Sequence, residues 1–129
     1  MSQPESLDYL VISRGQWDTD ATPEIIQATI DRFYTWIDGM VAEGKMTPGN
    51  RLATAGKNLS RDQGITDGPY GEAKEVVGGY WFIHASDLNQ AAEYLSGNPC
   101  LALGLEFEVR PLEKIKASAY EVTNETPGR

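Results

Sequence analysis

Two short runs of large apolar residues constrain the fold of this chain most. Tyr9 to Ile12 and Tyr80 to Ile83 are unbroken rows of residue types that favour β-strands. Successive side chains of a strand point to opposite faces, so each run presents apolar groups on both faces of its sheet. Both faces of such a sheet must be buried against other parts of the structure, because large apolar patches are rarely exposed to water.

Two amphipathic helices are predicted, each with a capping signal. Thr22 offers an N-cap oxygen and Pro23 suits the first helical position. An apolar stripe follows at spacings of three and four residues: Ile26, Ile30, Phe33, Ile37 and Met40. A shorter helix is predicted after Ser86 or Asp87, with Gly97 at its end.

The strands complete a β-α-β, hairpin insert, β-α-β order. They are predicted at residues 7–13, 46–53, 76–85 and 105–110, with a small hairpin around Asp62-Gln63-Gly64. This order predicts an α+β, ferredoxin-like fold, in which both helices lie on one face of an antiparallel sheet. Because the helices would cover one face only, we expect a second copy to cover the other, sheet against sheet, in a homodimer.

Composition narrows the classes of function. The 129 residues fit one domain over the whole chain, with a polar tail from about residue 117. Nineteen acidic and eleven scattered basic residues argue against nucleic acid and anionic membranes as partners. Neither a membrane span nor a signal peptide is expected. With Cys100 as the single cysteine, no internal disulfide can form, which favours a cytoplasmic location.

The most distinctive segment is residues 67–75, which read DGPYGEAKE and precede Gly78-Gly79 and a strong strand. It resembles the DGPF branch of the YCII-related family, whose motif is close to DGPFAETKE. Residues 107–111, FEVRP, are similar to the family's later VEVRP motif. The resemblance implies a dimeric α+β barrel of ferredoxin-like protomers. It also implies, for some relatives, lyase activity on chlorinated hydroxyquinones and, for DGPF-type proteins, association with extracytoplasmic-function sigma factors.

The chain departs from the family pattern both within the motif and outside it. Tyr70 stands where Phe is usual, and Ala73 stands where Thr is common. YCII members with a proposed His–Asp active pair carry the His early in the chain, whereas the only histidine here is His84. The chemistry of that pair is therefore not transferred to this chain.

Asp67 is the first candidate for a functional side chain. An Asp commonly accepts a hydrogen bond from the N–H two residues on, but that residue is Pro69, which has no N–H. Two readings stay open: a structural turn residue, or a ligand-binding or proton-transfer group. As a base, Asp67 would need its pKa raised by burial or by a neighbouring carboxylate such as Glu72.

The other candidates also have two readings each. Tyr70 either presents its hydroxyl to a ligand or anchors the loop with its ring. Lys74 either holds an anion or belongs, with Glu72, to a solvated charged run. Gly78 and Gly79 mark either a bulge or the close approach of a ligand or partner. Arg110 either holds a substrate carboxylate or pairs across the sheet.

Three further residue types carry less information. His84 is either a hydrogen-bonded surface residue or a proton shuttle. Cys100 is either a packed side chain or a reactive thiol. Trp17 and Trp36 are expected in the core or an interface, and Trp36 could line a pocket. No Cys/His, EF-hand or phosphate-loop spacing occurs in the sequence, so we expect neither metal nor cofactor.

Two functional hypotheses follow. In the first, a cleft beside residues 67–75 binds a small anionic or aromatic molecule and works as a lyase or proton-transfer enzyme. Asp67 would move a proton, Glu72 would assist, and Arg110 or Lys74 would hold an anionic oxygen. In the second, the chain is a non-catalytic dimeric module that binds a ligand or a protein in regulation. An enclosed cavity with convergent polar groups favours the first, and a flat Asp67 region favours the second.

Overall fold

The computed structural model describes residues 7–69 and 75–128 and shows an α+β fold. In chain order its elements are β1 (Leu7–Arg14), α1 (Pro23–Ala42), β2 (Met46–Arg51), β3 (Gly56–Ser60), β4 (Gly64–Gly68), β5 (Val77–Ala85), α2 (Leu88–Leu95), a 3-10 helix (Pro99–Leu103) and β6 (Glu106–Pro111). The predicted order of two β-α-β units around a hairpin insert is confirmed.

Four of the strands form one sheet in the order β2-β5-β1-β6, and every neighbouring pair is antiparallel. The predicted insert is the separate hairpin of β3 and β4, which turns at residues 61–63. The two longest strands, β1 and β5, therefore lie at the centre of the four-stranded sheet, where each has a hydrogen-bonded strand on both sides.

Both helices pack on one face of this sheet. Tyr9, Val11, Trp81 and Ile83 point to that face and are at most 5% exposed. Ile37 of α1, together with Ala91 and Leu95 of α2, completes the same cluster. Full burial of one large apolar side chain stabilises a fold by roughly 1.5–3 kcal/mol, so this cluster is the main source of stability.

The opposite face carries the apolar side chains that the sequence predicted there. Leu10 lies directly opposite Phe82, and Ile12 directly opposite Tyr80. All four are only partly buried, because neither helix packs on this side. The rings of Tyr80 and Phe82 contact each other with their centroids 5.9 Å apart. A contiguous patch, here called the open-face patch, consists of Leu10, Ile12, Tyr80 and Phe82.

Local signals set the helix ends. The Thr22 hydroxyl accepts a hydrogen bond from the Ile25 N–H, and the Asp87 carboxylate accepts one from the Gln90 N–H at 2.8 Å. Both predicted N-caps are thus confirmed, with Asp87 rather than Ser86 at the second helix. The 3-10 helix was not predicted, because five residues are too few to show a periodic pattern.

The edge strand β2 is distorted at Pro48 and Gly49, where its register against β5 shifts. Its backbone lies so close to β5 there that a Cβ on Gly49 would overlap the Tyr80 carbonyl. Glycine is therefore required at this position by space. Among the described residues, no helix is both long and apolar enough to cross a membrane.

A matched pair of glycine substitutions tests this close approach. Gly49→Ala should lower the free energy of unfolding by about 1–3 kcal/mol, because the new methyl forces β2 away from β5. Gly39→Ala, on the exposed side of α1 with nothing within 4 Å, should raise it by about 0.5–1 kcal/mol. Urea unfolding measures both. Equal effects of the two substitutions would contradict the predicted strand contact.

Candidate functional site

A cavity of about 380 Å³ lies between α1 and the end of the sheet where β5 begins. This volume falls in the range that small ligands occupy in proteins. Its walls are mainly apolar: Trp17, Ile30, Phe33, Tyr34, Ile37, Val41, Trp81, Leu105 and Phe107. Its polar or charged lining residues are Ser13, Asp38, Asn50 and Arg51.

The cavity exists because one row of residues across the sheet has small members at its centre. The strand register places Arg51, Gly79, Ser13 and Phe107 side by side on the helix-covered face. The next row on that face holds Trp81, Val11 and Val109, which fill the space under the helices. Gly79 and Ser13 fill far less, so room remains beneath α1.

Aromatic rings form the wall on the core side. The Trp81 ring lies 5.5 Å from that of Phe33 on α1 and 5.7 Å from that of Phe107 on β6, measured between centroids. The Trp81 side chain is buried, and its Nε1–H has no hydrogen-bond partner among the described residues. The Nε1 atom has less than 1 Å² of accessible surface, so it faces packed protein, and Trp81 presents an apolar ring surface to the cavity.

One acidic and one basic side chain lie at the rim of the cavity. Asp38 comes from α1 and Arg51 from the end of β2. Neither makes an ion pair within the part of the chain that the structure describes. Arg51 is exposed and can therefore turn toward an anionic group that enters the cavity.

Cys100 also lines the cavity and is buried. Burial raises the pKa of its thiol from the usual 9.0 to about 11, although the charge of Arg32 acts in the opposite direction. The thiol is therefore protonated near neutral pH. Of the two readings of Cys100, the packed side chain agrees with this environment better than the reactive thiol does.

The predicted site residues lie in different places. Gly78 and Gly79 line the cavity. Arg110 is on the open face of the sheet, exposed, with its Nε 3.9 Å from a carboxylate oxygen of Glu108. Asp67 lies in β4, where its side chain is 91% exposed and forms an ion pair with Lys57. The remaining three candidates, Tyr70, Glu72 and Lys74, fall outside the described residues.

The bulge reading of the glycine pair is confirmed, and the close approach at Gly79 comes from the same chain. The pairing of β1 with β5 shifts at Gly78, where a bulge lies between Ser13 and Arg14 on the facing strand. A Cβ on Gly79 would come within 2.9 Å of the Asn50 carbonyl oxygen, so the close neighbour is the backbone of β2. Because Gly79 has no side chain, it also leaves space for the cavity on the helix-covered face.

The hairpin that carries Asp67 leaves and rejoins the fold at the rim of the cavity. On the outgoing side, the Leu52 N–H donates to the Gly78 carbonyl at 2.9 Å. On the returning side, the Gly15 N–H donates to the Val76 carbonyl at 2.9 Å. The motif 67–75 is thereby connected to the cavity by the chain, although Asp67 itself does not line it.

Sequence reasoning missed Ser13, Phe33 and Trp81 as lining residues. The helix stripe and the strong strand identified Phe33 and Trp81 as apolar packing residues only. Strand register would have been the useful signal, because it aligns Ser13 with Gly79 and so predicts a gap in the packing. In the described ranges, no group of three or more His, Cys, Asp or Glu residues is arranged to hold a metal.

Comparison with known families confirms the resemblance at the level of the YCII-related family. The model of the YCII-related domain matches residues 8–116, which include all the secondary-structure elements except the first residue of β1. No curated protein matches the chain.

The environment of Cys100 predicts slow chemical modification. At pH 8, iodoacetamide should alkylate the native thiol about a hundredfold more slowly than the thiol of the urea-unfolded chain, because a pKa near 11 leaves far less thiolate. Mass spectrometry of quenched samples measures both rates. Equal rates would show that the thiol is ionised and accessible in the folded protein.

Proposed function

The chain belongs to the YCII-related family, and from that premise we propose that it binds a small molecule in the cavity between α1 and the sheet. The observation that carries the proposal is the mostly apolar cavity of about 380 Å³, which is walled by aromatic rings and has Asp38 and Arg51 at its rim. A mostly apolar cavity with a few placed polar groups is the usual form of a ligand site.

The lining favours a flat aromatic molecule with an anionic group. Phe33, Trp81 and Phe107 offer ring surfaces for stacking or edge contacts. The Arg51 guanidinium offers a partner for a carboxylate at the rim. This chemistry fits the anionic or aromatic ligand class expected from the sequence.

We propose a ferredoxin-like protomer that dimerises through the open-face patch. The order β2-β5-β1-β6 and the position of both helices on one face support the protomer assignment. The patch of Leu10, Ile12, Tyr80 and Phe82 supports the dimer, because a second copy would bury it. The motif at 67–75 supports placement in the DGPF branch, and the single cysteine supports a cytoplasmic location.

Ligand binding without chemistry is the function that the geometry favours, because the Asp67 side chain is 91% exposed, forms an ion pair with Lys57 and lines only an open hollow on the hairpin, apart from the cavity under α1. Proton transfer is the second candidate. Its support is the hairpin's attachment at the cavity rim, through Leu52 and Val76, which would let the motif at 67–75 reach a bound ligand. In that case Asp67 would be the proton acceptor and Glu72 its neighbour.

Loss of the rim guanidinium should weaken binding. Arg51→Gln removes the charge that would hold the carboxylate, so the affinity for salicylate should fall about fivefold to tenfold, the effect of roughly 1 kcal/mol. Arg61→Gln is the matched control, since Arg61 is exposed on the hairpin and does not line the cavity. Isothermal titration calorimetry measures the affinities. No binding to wild type by salicylate or a panel of other aromatic carboxylates would contradict the proposal.

The role of Asp67 is tested separately. If the motif acts on the bound ligand, Asp67→Asn should abolish turnover, or lower ligand affinity at least about tenfold, with folding intact. Asp62→Asn, an exposed carboxylate at the tip of the same hairpin, should change neither. Identical behaviour of Asp67→Asn and wild type would assign Asp67 to the hairpin ion pair alone.

The proposed dimer predicts a specific sensitivity to charge. Wild type should be a dimer at micromolar concentration by multi-angle light scattering, and Phe82→Glu should convert it to a monomer, because a carboxylate in the buried patch is unpaired. Leu59→Glu, at a 72%-exposed apolar residue of the hairpin, should leave the dimer intact. A wild-type monomer would refute the sheet-to-sheet arrangement.

A further inference from the structure

Three side chains form a hydrogen-bonded row across the open face of the sheet, at the end far from the cavity. His84 Nδ1 lies 2.7 Å from Asp8 Oδ1, and His84 Nε2 lies 2.6 Å from Thr47 Oγ1. The three residues come from three adjacent strands, β1, β5 and β2. Both imidazole nitrogens are therefore engaged, one by a carboxylate and one by a hydroxyl.

The sheet itself holds this arrangement. Asp8 is the direct cross-strand partner of His84, and Thr47 is paired with Phe82, two residues before His84 on the same face. The His84 N–H also donates to the Lys45 carbonyl at 2.8 Å, which fixes the backbone at the end of β5. Side chains placed by strand register need little reorganisation to act together.

The donors and acceptors define one protonation pattern for a neutral imidazole. An ionised carboxylate only accepts, so Nδ1–H donates to Asp8. Nε2 is then an acceptor, and the Thr47 O–H donates to it. A hydroxyl bonded to an imidazole that is oriented by a carboxylate is the arrangement of an activated nucleophile, its base and its orienting group.

We propose that Thr47 is a nucleophile toward activated esters, with His84 as its general base and Asp8 as the residue that positions His84. Thr47 Oγ would attack the ester carbonyl while its proton passes to His84 Nε2, and that proton would leave with the alcohol. The acyl group would remain on Thr47 until water, deprotonated by His84, releases it as a carboxylic acid and restores the hydroxyl.

The surroundings allow a substrate to approach. Thr47 is exposed on the edge strand, and the side chains of His84 and Asp8 are 31% and 53% exposed. Leu10 and Phe82, the neighbouring row on the same face, belong to the patch that the proposed dimer buries, so a substrate would reach Thr47 from the exposed edge of β2. This inference requires neither the cavity nor its ligand, so it stands apart from the proposed binding function.

The test uses p-nitrophenyl acetate with the intact protein. Wild type should release p-nitrophenol and acquire an acetyl group on Thr47. Trypsin separates Thr47, in the peptide of residues 46–51, from His84, so mass spectrometry distinguishes the two acceptors. Thr47→Val should lower the rate by about a hundredfold, and Thr47→Ser should keep it, because serine retains the hydroxyl.

A second experiment tests whether Asp8 positions His84. Asp8→Asn should reduce kcat about tenfold or more with KM unchanged, since the amide no longer favours the required tautomer, and Asp8→Glu should restore part of kcat. Thr54→Val, at an exposed threonine outside the chain of hydrogen bonds, should match wild type. Circular dichroism checks that each variant folds.

Acetylation of His84 instead of Thr47, or equal rates for Thr47→Val and wild type, would overturn the proposal. In that case the three side chains are a cross-strand hydrogen-bond ladder only. If Thr47→Val does not fold, the location of the acetyl group on wild type and the comparison of Asp8→Asn with Asp8→Glu still decide the question.

Discussion

The packing of Trp81 between Phe33 and Phe107 is the contact on which the rest of the structure depends. It joins α1 to the central strand β5 and to the edge strand β6 in one aromatic cluster. On one side of Trp81, the helix-covered face carries large side chains that form the core. On the other side, the face continues with Gly79 and Ser13, and the packing stops. The Trp81 side chain therefore belongs to the core and also forms one wall of the cavity.

The two faces of the sheet therefore have different roles. The helix-covered face provides stability and, at one end, the cavity. The open face provides an apolar patch at its centre and the hydrogen-bonded Asp8, His84 and Thr47 at the end opposite the cavity. The proposed binding cavity and the proposed Thr47 site thus both involve strands β1, β2 and β5 but lie on opposite faces of the sheet.

Much of the fold followed from short-range patterns. The helix stripe, the caps at Thr22 and Asp87 and the apolar rows at Tyr9–Ile12 and Tyr80–Ile83 determine elements locally, and the structure agrees with them. The site was less predictable, because its lining depends on strand register. The alignment of Ser13 with Gly79, and of Asp8 with His84, joins residues more than sixty positions apart. The sequence motif pointed instead to Asp67, whose place on a separate hairpin no local pattern determines.

The central claim is that a small aromatic anion binds in the cavity of which Trp81 forms a wall. A heteronuclear NMR titration of the three tryptophan indole N–H groups with salicylate tests it most directly. Binding in the cavity predicts a saturable shift of the Trp81 N–H resonance that is larger than that of Trp36, because the Trp81 ring lines the cavity and the Trp36 ring does not. A Trp81 resonance that stays unchanged while salicylate binds elsewhere, or that shifts no more than Trp36, would contradict it.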